Sequence, residues 1–342
     1  MSSRFRRRRA AVVLTLSLAI ATIAGACTTG AGSSPATPVT AAPLTTTAPS
    51  ATPDPTPVAA FPVTLTDDEG TAVELEAEPQ RIVSLTPATT EILFKLGAGD
   101  RVVATTDFDD YPPEAVALPD VASYTAVDVE KIVGLETDLV IAGGNFFNDP
   151  TAIAQLRELG VPVLVVYAKD VAGVLHDVEL VGAAIGHASE AKDLTAAMQA
   201  GFDQVAAAVS SLPKPRVFYE LDATSDIFTA AKDSFVEEMI TLAGGEAITT
   251  GSTTDFAISI EKLIAADPEI ILLGDAAYGV TAEAVAARPG WDVMTAVRDG
   301  QIRGVNDLIV TRPGPRLVDG LRELALAIHP GVAVPSLEAV AP

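Results

Sequence analysis

The side chains best suited to hold a ligand are aromatic residues in loops that follow or separate predicted strands. Tyr111 precedes two prolines that stiffen its loop, and Tyr124 and Phe256 occupy other such loops. Taken singly, each ring fits ordinary packing as well as ligand contact. Their shared placement favours contact, because loops held on a rigid scaffold commonly carry binding residues. The pattern predicts a binding surface with aromatic faces.

Residues that would support catalysis or tight metal binding are sparse. His176, His187 and His329 lie far apart in the chain, which is typical of solvated or capping histidines rather than a metal cluster. Ser84 falls in a predicted strand without the glycines of a nucleophile elbow. Cys27 is the only cysteine, which excludes an internal disulfide and a multi-thiolate metal site. A zinc or manganese receptor and an exported hydrolase are both disfavoured, and we predict no enzyme activity.

The chain is strongly acidic. It has 342 residues, 49% of them hydrophobic, and a formal net charge of -23. Five of its 22 basic residues lie within the first nine positions, so residues 28–342 carry 17 basic against 45 acidic side chains. Nucleic acid is excluded as a partner, because phosphate neutralisation needs clustered Lys and Arg. The same deficit leaves no basic patch for direct binding to anionic lipid.

The N-terminus has the pattern of an export signal. An arginine-rich start and an apolar run over residues 10–23 precede small residues and Cys27, which predicts a signal peptide over 1–26. The arrangement is similar to a bacterial lipobox and predicts lipidation of Cys27; the alternative is an ordinary signal peptide with an incidental cysteine. Residues 27–60, rich in Thr, Ala and Pro, are predicted to be a disordered tether. We expect an exported protein, attached to the outer face of the cell membrane through lipid alone.

A long amphipathic helix at residues 189–211 organises the remainder of the chain. Apolar side chains recur there at the spacing of one helical face, Ser189 is the expected N-cap, and Pro213 prevents continuation. On both sides predicted strands alternate with helices, which indicates largely parallel sheets. We predict an α/β fold of two lobes joined by this α-helix; the alternative is a single α/β domain with one more surface helix. The predicted bounds are 61–170 for the N-terminal lobe, 171–213 for the helical linker, 214–330 for the C-terminal lobe and 331–342 for a tail.

The two predicted lobes echo one another in sequence. Residues 127–143 align without gaps on residues 258–274, which matches Glu130 with Glu261. Two shorter echoes occur in the same order, so the lobes are predicted to be related. Ligands of open α/β sheets bind outside the carboxyl ends of the strands. Two facing lobes therefore predict a ligand cleft between them.

Several segments resemble substrate-binding proteins of ABC importers for cobalamin and iron-siderophore complexes. The segments are 81–91, 110–115, 129–133 with 137–141, and 312–316. The resemblance covers residues 62–330 and implies two α/β lobes joined by one long helix, with little hinge closure. It also implies delivery of the ligand to an ABC permease dimer, onto which Glu130 and Glu261 would dock. We expect a monomer without an intrinsic cofactor.

The loop around Tyr111 is most similar to that of cobalamin-binding members, where side chains from both lobes sandwich a flat corrin ring. The resemblance implies a ligand-binding set of Tyr111, Tyr124, Phe146, Phe228, Phe256, Asp307 and Arg312. The alternative is a receptor for a ferric siderophore or haem. An anionic ferric complex calls for convergent arginines, for which Arg303, Arg312 and Arg316 are candidates. Haem needs an axial ligand, a role that Tyr111 could fill.

Overall fold

A computed structural model of the protein describes residues 61–123, 126–144 and 147–334. The predicted signal peptide, Cys27 and the tether lie outside the described residues, as do Tyr124 and Phe146. Within the described ranges, no helix is both long and apolar enough to cross a membrane. The first described elements form an antiparallel hairpin of β1 (Val63–Thr66) and β2 (Ala72–Leu75).

The N-terminal lobe contains a six-stranded sheet. Its elements in chain order are β3 (Ile82–Ser84), α1 (Pro87–Lys95), β4 (Val102–Thr106), β5 (Asp120–Ser123), β6 (Ala126–Val127), α2 (Val129–Gly134), β7 (Leu139–Ala142), α3 (Pro150–Glu158) and β8 (Val163–Val165). The strand order is β6-β5-β4-β3-β7-β8, and every neighbouring pair is parallel except β5 with the edge strand β6. The apolar strands β7 and β8 are buried along their whole length, as expected for a parallel sheet that is covered on both faces.

Two consecutive helices, α4 (Val171–Ala184) and α5 (Ala188–Val209), follow this sheet. The long helix was correctly predicted, but Ser189 as its N-cap was wrong. The helix begins at Ala188, and His187 occupies the cap position without a side-chain hydrogen bond to the first turn. The two helices approach closely at Gly182, where a Cβ atom would lie 2.3 Å from the Cβ of Ala191.

The C-terminal lobe contains a four-stranded parallel sheet. Its elements are β9 (Arg216–Glu220), β10 (Ile227–Phe228), α6 (Phe235–Leu242), β11 (Glu246–Ala247), β12 (Ala257–Ile258), α7 (Ile260–Ala266), β13 (Ile270–Leu273), α8 (Ala282–Ala286), α9 (Thr295–Arg298), β14 (Ile302–Gly304), α10 (Asp307–Val310) and α11 (Leu317–Ile328). The strand order is β11-β9-β13-β14, and β10 pairs separately with β12 in an antiparallel ribbon.

The sequence repeat corresponds to equal strand registers in the two lobes. In the parallel pair β3 and β7, Ile82 lies opposite Leu139. In the parallel pair β9 and β13, Val217 lies opposite Ile270. Leu139 and Ile270 are also equivalent positions of the gapless alignment. The two sheets are therefore built on the same central strand pair.

An arginine ahead of the first sheet strand makes the same contact in each lobe. The Nε of Arg81 donates to the carbonyl oxygen of Leu135, and the Nε of Arg216 donates to that of Ala266. Both carbonyls lie at the end of the helix that precedes β7 or β13, where intrahelical donors are lacking. A cation there also interacts favourably with the helix dipole. The repeated contact shows that the two lobes share a local design.

One continuous apolar core joins the lobes through α5. It extends from Ile82 of the first sheet, through Met198 and Phe202 of α5, to Leu321 of α11. Phe202 is 2% exposed, and burial of such a side chain contributes about 1.5 to 3 kcal/mol. Two separate apolar clusters cover the opposite faces of the two sheets. The helix is thus the spine of a two-lobed molecule rather than a surface helix of one domain.

A buried carboxyl group lies where the β1–β2 hairpin meets α4. Asp177 of α4 is 4% exposed, and its Oδ1 atom has no hydrogen-bond partner among the described residues. Burial, with the nearby carboxylates of Asp68 and Asp170, raises the pKa of Asp177 from 3.8 to about 9. Asp68 is itself held by the backbone N–H of Tyr167. The folded protein therefore retains a proton at this site at neutral pH.

Replacement of Asp177 by Asn should stabilise the protein at neutral and alkaline pH. The folded-state pKa lies above the unfolded value, so the stability that this group contributes is complete below about pH 4 and is lost as the pH rises towards 9. Asparagine keeps the shape and needs no proton. We expect the melting temperature of D177N to exceed that of the wild type by several degrees at about pH 8, with the difference closing by about pH 4. Circular dichroism melts across this range test the expectation, and a pH-independent difference would contradict it.

Candidate ligand-binding site

Exposed aromatic side chains gather in the loops beyond the strands of both lobes. Phe108 (38% exposed) and Tyr111 (42%) follow β4, and Phe147 (55%) follows β7. In the other lobe, Phe256 (42%) precedes β12 and Tyr278 (81%) follows β13. Rings of this size are usually buried, so a set of exposed ones at strand ends is unusual for a surface without function. These loops form the candidate site.

Tyr111 is braced by a residue of the opposite lobe. The guanidinium carbon of Arg316, which immediately precedes α11, lies 4.1 Å from the centre of the Tyr111 ring. Such a cation–π contact stabilises by about 0.5 to 2 kcal/mol. Tyr111 comes from the first lobe, but its ring orientation is therefore set by both.

Four charged side chains form a cross-lobe cluster: Glu91, Asp110, Arg312 and Arg316. Glu91 of α1 is 3% exposed and accepts two hydrogen bonds from Arg316, from Nε at 2.9 Å and from Nη2 at 2.6 Å. The Nη1 of Arg312 donates to Glu91 at 2.9 Å and to Asp110 at 2.6 Å. Charge-assisted bidentate contacts of this kind are among the strongest hydrogen bonds in proteins. The cluster links the loops of one lobe to the entry of the last helix of the other.

Asp109 lies beside this cluster and is 8% exposed. Its Oδ2 accepts from the backbone N–H and the hydroxyl of Thr106, at 2.9 and 2.5 Å. Burial raises the pKa of Asp109, although the hydrogen bonds from Thr106 and Thr90 oppose the shift. Both threonine contacts hold the loop that carries Asp110 and Tyr111 against the lobe. The hydrogen bonds between Asp109 and Thr106 thus help to fix the loop that positions Tyr111.

The loop that carries Phe147 is fixed by a buried amide. The Oδ1 of Asn148 accepts from the backbone N–H of Gly143 at 2.8 Å, and its Nδ2 donates to the carbonyl of Leu85 at 3.0 Å. Gly143 has no room for a side chain, because a Cβ atom would lie 2.5 Å from the methyl carbon of Thr86. The loop therefore presents Phe147 from a defined backbone.

In the C-terminal lobe, the carboxylate of the predicted contact residue Asp307 accepts hydrogen bonds from side chains of the same lobe. Its Oδ1 accepts from the Tyr219 hydroxyl at 2.8 Å, and its Oδ2 accepts from the Thr311 hydroxyl at 3.1 Å. Burial and the Asp307 carboxylate raise the pKa of Tyr219, so this hydroxyl remains a donor at all physiological pH values. Asp307 is half-buried at the start of α10.

A second buried ion pair lies at the carboxyl end of β9. Glu220 is fully buried and accepts from both terminal nitrogens of Arg288, at 2.5 and 2.7 Å. The Arg288 guanidinium carbon also lies 4.6 Å from the centre of the Trp291 ring. Burial and the Glu220 charge raise the pKa of the neighbouring Asp275 to about 6. This arginine is therefore fully engaged within its lobe.

The predicted contact residues differ in exposure and in whether they are already paired within the protein. Tyr111 and Phe256 are exposed as a contact residue must be, and Phe228 is half-buried in the β10–β12 ribbon. Arg312 is paired with carboxylates and is not a free cation. Among the candidates for binding an anion, Arg303 donates instead to the carbonyl of Ala327 and so turns towards α11. Tyr124 and Phe146 lie outside the described residues.

Sequence reasoning missed Glu91 and Asp110 as members of the site, and Phe108, Phe147 and Tyr278 as exposed rings. Glu91 stands in one of the segments that carry the family resemblance, which was the available signal. Its partners lie more than 200 positions away in the chain, so no local pattern could reveal the pairing. Phe147 was overlooked in favour of its neighbour Phe146.

Glu130 and Glu261 occupy equivalent places in the two lobes. Both are exposed, and each is in the first turn of its helix, α2 or α7. Asp128 and Ser259 cap these helices through the backbone N–H of Lys131 and Lys262, at 3.0 and 3.3 Å respectively. Neither cap involves a glutamate side chain, and both carboxylates are exposed to solvent.

Two α/β lobes joined by a helix, with loops from both lobes around a shared ion cluster, define the class of helix-linked substrate-binding proteins. The family model for periplasmic binding proteins matches residues 82–307. The chain belongs to this family.

Known proteins similar to this chain differ in their ligands. An uncharacterized ABC transporter substrate-binding lipoprotein of Bacillus subtilis is 35% identical over 275 residues, 79% of this chain and 86% of the relative. A cobalamin-binding protein of Halobacterium salinarum is 32% identical over 283 residues, 79% of this chain and 74% of the relative. Among solved structures, a periplasmic haem-binding protein from Roseiflexus sp. RS-1 superposes with a TM-score of 0.65 and 28% identity, covering 73% of this chain and 98% of that chain.

Proposed function

We propose that the protein captures a corrinoid such as cobalamin outside the cytoplasm and delivers it to an ABC import permease. The observation that carries the proposal is the set of exposed aromatic rings at the strand ends of both lobes. A corrin is a large, flat and largely apolar ring, which aromatic side chains hold by stacking and burial. The similarity to a cobalamin-binding relative along most of the chain supports this ligand class. The role is binding and transfer, without a chemical step.

The direct test is coloured-ligand capture. The purified protein is incubated separately with cyanocobalamin, haem and a ferric siderophore, then desalted, and the visible absorption of the protein fraction is recorded. We expect the corrinoid spectrum to remain with the protein at one ligand per chain. Retention of haem or of the ferric complex, with loss of cyanocobalamin, would replace the proposed ligand.

Haem is the second candidate. The Tyr111 hydroxyl stands on a 42% exposed side chain in the candidate site, and tyrosine is an axial ligand of haem iron in some proteins. The similarity to a solved haem-binding protein supports this alternative. The Soret band of a protein–haem complex, absent with cobalamin, separates the two.

We further propose that Cys27 is lipidated and holds the protein at the outer face of the membrane. The support is the sequence pattern around Cys27 together with a relative that is called a lipoprotein. Replacing Cys27 with Ser should release the protein into the soluble fraction, because no other anchor is predicted. Fractionation and mass spectrometry of the N-terminus measure the outcome. A C27S variant that stays membrane-associated and is processed as before would contradict the anchor.

Glu130 and Glu261 are proposed to dock onto the permease. Their exposure and their equivalent positions in the two lobes support one contact with each half of a dimeric partner. Exposed carboxylates at an interface rim act mainly on the rate and orientation of encounter.

A further inference from the structure

We infer that Glu91 is a specificity-determining residue, which neutralises the arginines of the cleft and thereby excludes polyanionic ligands. The inference rests on the proposed function, because it takes the loops between the lobes as the place where the ligand binds. The carboxylate of Glu91 does not itself need to touch the ligand. Glu91 acts through Arg312 and Arg316, so it is a positioning residue.

Glu91 pairs with both arginines at once. Its two carboxylate oxygens receive three guanidinium contacts between 2.6 and 2.9 Å. The side chain is 2% exposed, whereas those of Arg312 and Arg316 are 12% and 25% exposed. Burial strengthens each contact, since solvent screens the charges little there. The arginines are thus partly exposed, while a buried carboxylate offsets their charge.

The charges of the cross-lobe cluster cancel. Two arginines face the carboxylates of Glu91 and Asp110, which leaves no surplus positive charge. The remaining arginines near the sheet ends do not alter this balance: Arg288 is paired with Glu220, and Arg303 turns towards α11. A ligand with several negative charges therefore meets a site that offers guanidinium groups but no net attraction.

An anion that takes over the contacts made by Glu91 must displace its carboxylate from both arginines. The displaced carboxylate would remain buried without a partner, which is strongly unfavourable. A neutral or weakly charged ligand makes no such demand and leaves the cluster intact. The same contacts also hold Arg316 against the Tyr111 ring at 4.1 Å. Through Arg316, Glu91 thus affects both the orientation of the Tyr111 ring and the preference of the site for uncharged ligands.

The test uses the full chain in detergent and the variant Glu91→Gln, which keeps the shape and removes one negative charge. Equilibrium dialysis is carried out with a ferric tris-catecholate complex, which is trianionic, and with cyanocobalamin, which is neutral. We expect E91Q to bind the ferric complex at least about tenfold more tightly than the wild type at low salt, with the gain falling as salt is added. Affinity for cyanocobalamin should change by less than about threefold.

Glu78→Gln is the matched control. Glu78 also pairs with a buried arginine, because its Oε1 accepts from the Nη1 of Arg101 at 2.7 Å. Arg101 immediately precedes β4, at the opposite end of that strand from the Tyr111 loop, so the control alters net charge equally but away from the cross-lobe cluster. Asp110→Asn, on a side chain that is 43% exposed, provides a milder second variant, for which a smaller gain in the same direction is expected even if E91Q folds poorly.

The role of Glu91 and the proposed corrinoid function are tested by different measurements. Equal affinity of wild type, E91Q and D110N for the ferric complex, or an equal gain in E78Q, would overturn the role of Glu91. Failure of the wild type to bind cyanocobalamin would overturn the proposed corrinoid function, whereas the ferric-complex comparison would still decide on Glu91.

Discussion

Replacing Glu130 and Glu261 together with alanine should abolish ligand uptake by the transporter while ligand affinity and melting temperature stay almost unchanged. Both side chains are exposed in the first turns of α2 and α7. Within the part of the chain that the structure describes, their local benefit is interaction with the helix dipoles, worth about 0.3 to 1 kcal/mol each. The folded domain therefore loses little when they are removed. A permease that binds one carboxylate on each lobe would lose both of these contacts.

The measurement pairs uptake of labelled ligand by cells with a binding titration of the purified variant. The matched control is the double change Glu190→Ala with Glu283→Ala, since both residues are also exposed glutamates in first helical turns. The control should transport normally. Because the proposed contact is between exposed charges, encounter should also slow with added salt. Normal uptake by the E130A/E261A protein would show that docking uses another surface.

Replacing Tyr111 with alanine should weaken ligand binding by about 1 to 3 kcal/mol, or roughly 5- to 150-fold. The ring is exposed for contact yet braced by Arg316 of the other lobe, so it is presented without further loss of freedom on binding. Alanine removes the stacking face and leaves a gap in the site. Calorimetric titration gives the change in affinity, and a thermal melt shows whether the fold is retained.

Tyr111→Phe is the informative companion. If the ring acts by stacking on a corrinoid, phenylalanine should bind within about threefold of the wild type, because the aromatic face is kept. If the hydroxyl ligates haem iron, phenylalanine should lose the complex almost as completely as alanine does. Unchanged affinity in Y111A with an intact fold would place the ring outside the ligand contact.

The fold could be predicted from the sequence because its determinants are local. Alternation of apolar strands and amphipathic helices indicated the sheets, and the gapless alignment of residues 127–143 on 258–274 indicated two related lobes. The structure confirmed both lobes and gave the repeat an equal strand register. The error at the start of α5 is also local: the chain turns at Gly186, and Ser189 already lies inside the first helical turn.

The site could be predicted only in part, because its electrostatics depend on contacts across the fold. Loop aromatics such as Tyr111 and Phe256 were identifiable, since their exposure follows from placement at strand ends. The state of Arg312 was not, because Glu91 lies 221 positions away in the chain. An arginine in a cleft loop suggests an anion site until its partner is known. The sequence contained both residues, but nothing in their spacing showed that they meet.

Each of the two sheets is built from one continuous stretch of sequence, which affects the order in which the molecule can fold. Every strand of the first sheet lies between residues 82 and 165, and every strand of the second lies between residues 216 and 304. Each can therefore form from nearby chain, and the N-terminal one can be completed first as the chain emerges during synthesis. Glu91, by contrast, must wait for residues 312–316 to acquire its partners. We therefore expect the cross-lobe contacts of Glu91 to form after the first sheet, and a nascent chain arrested before Arg312 to hold that sheet while Glu91 still lacks its arginine partners.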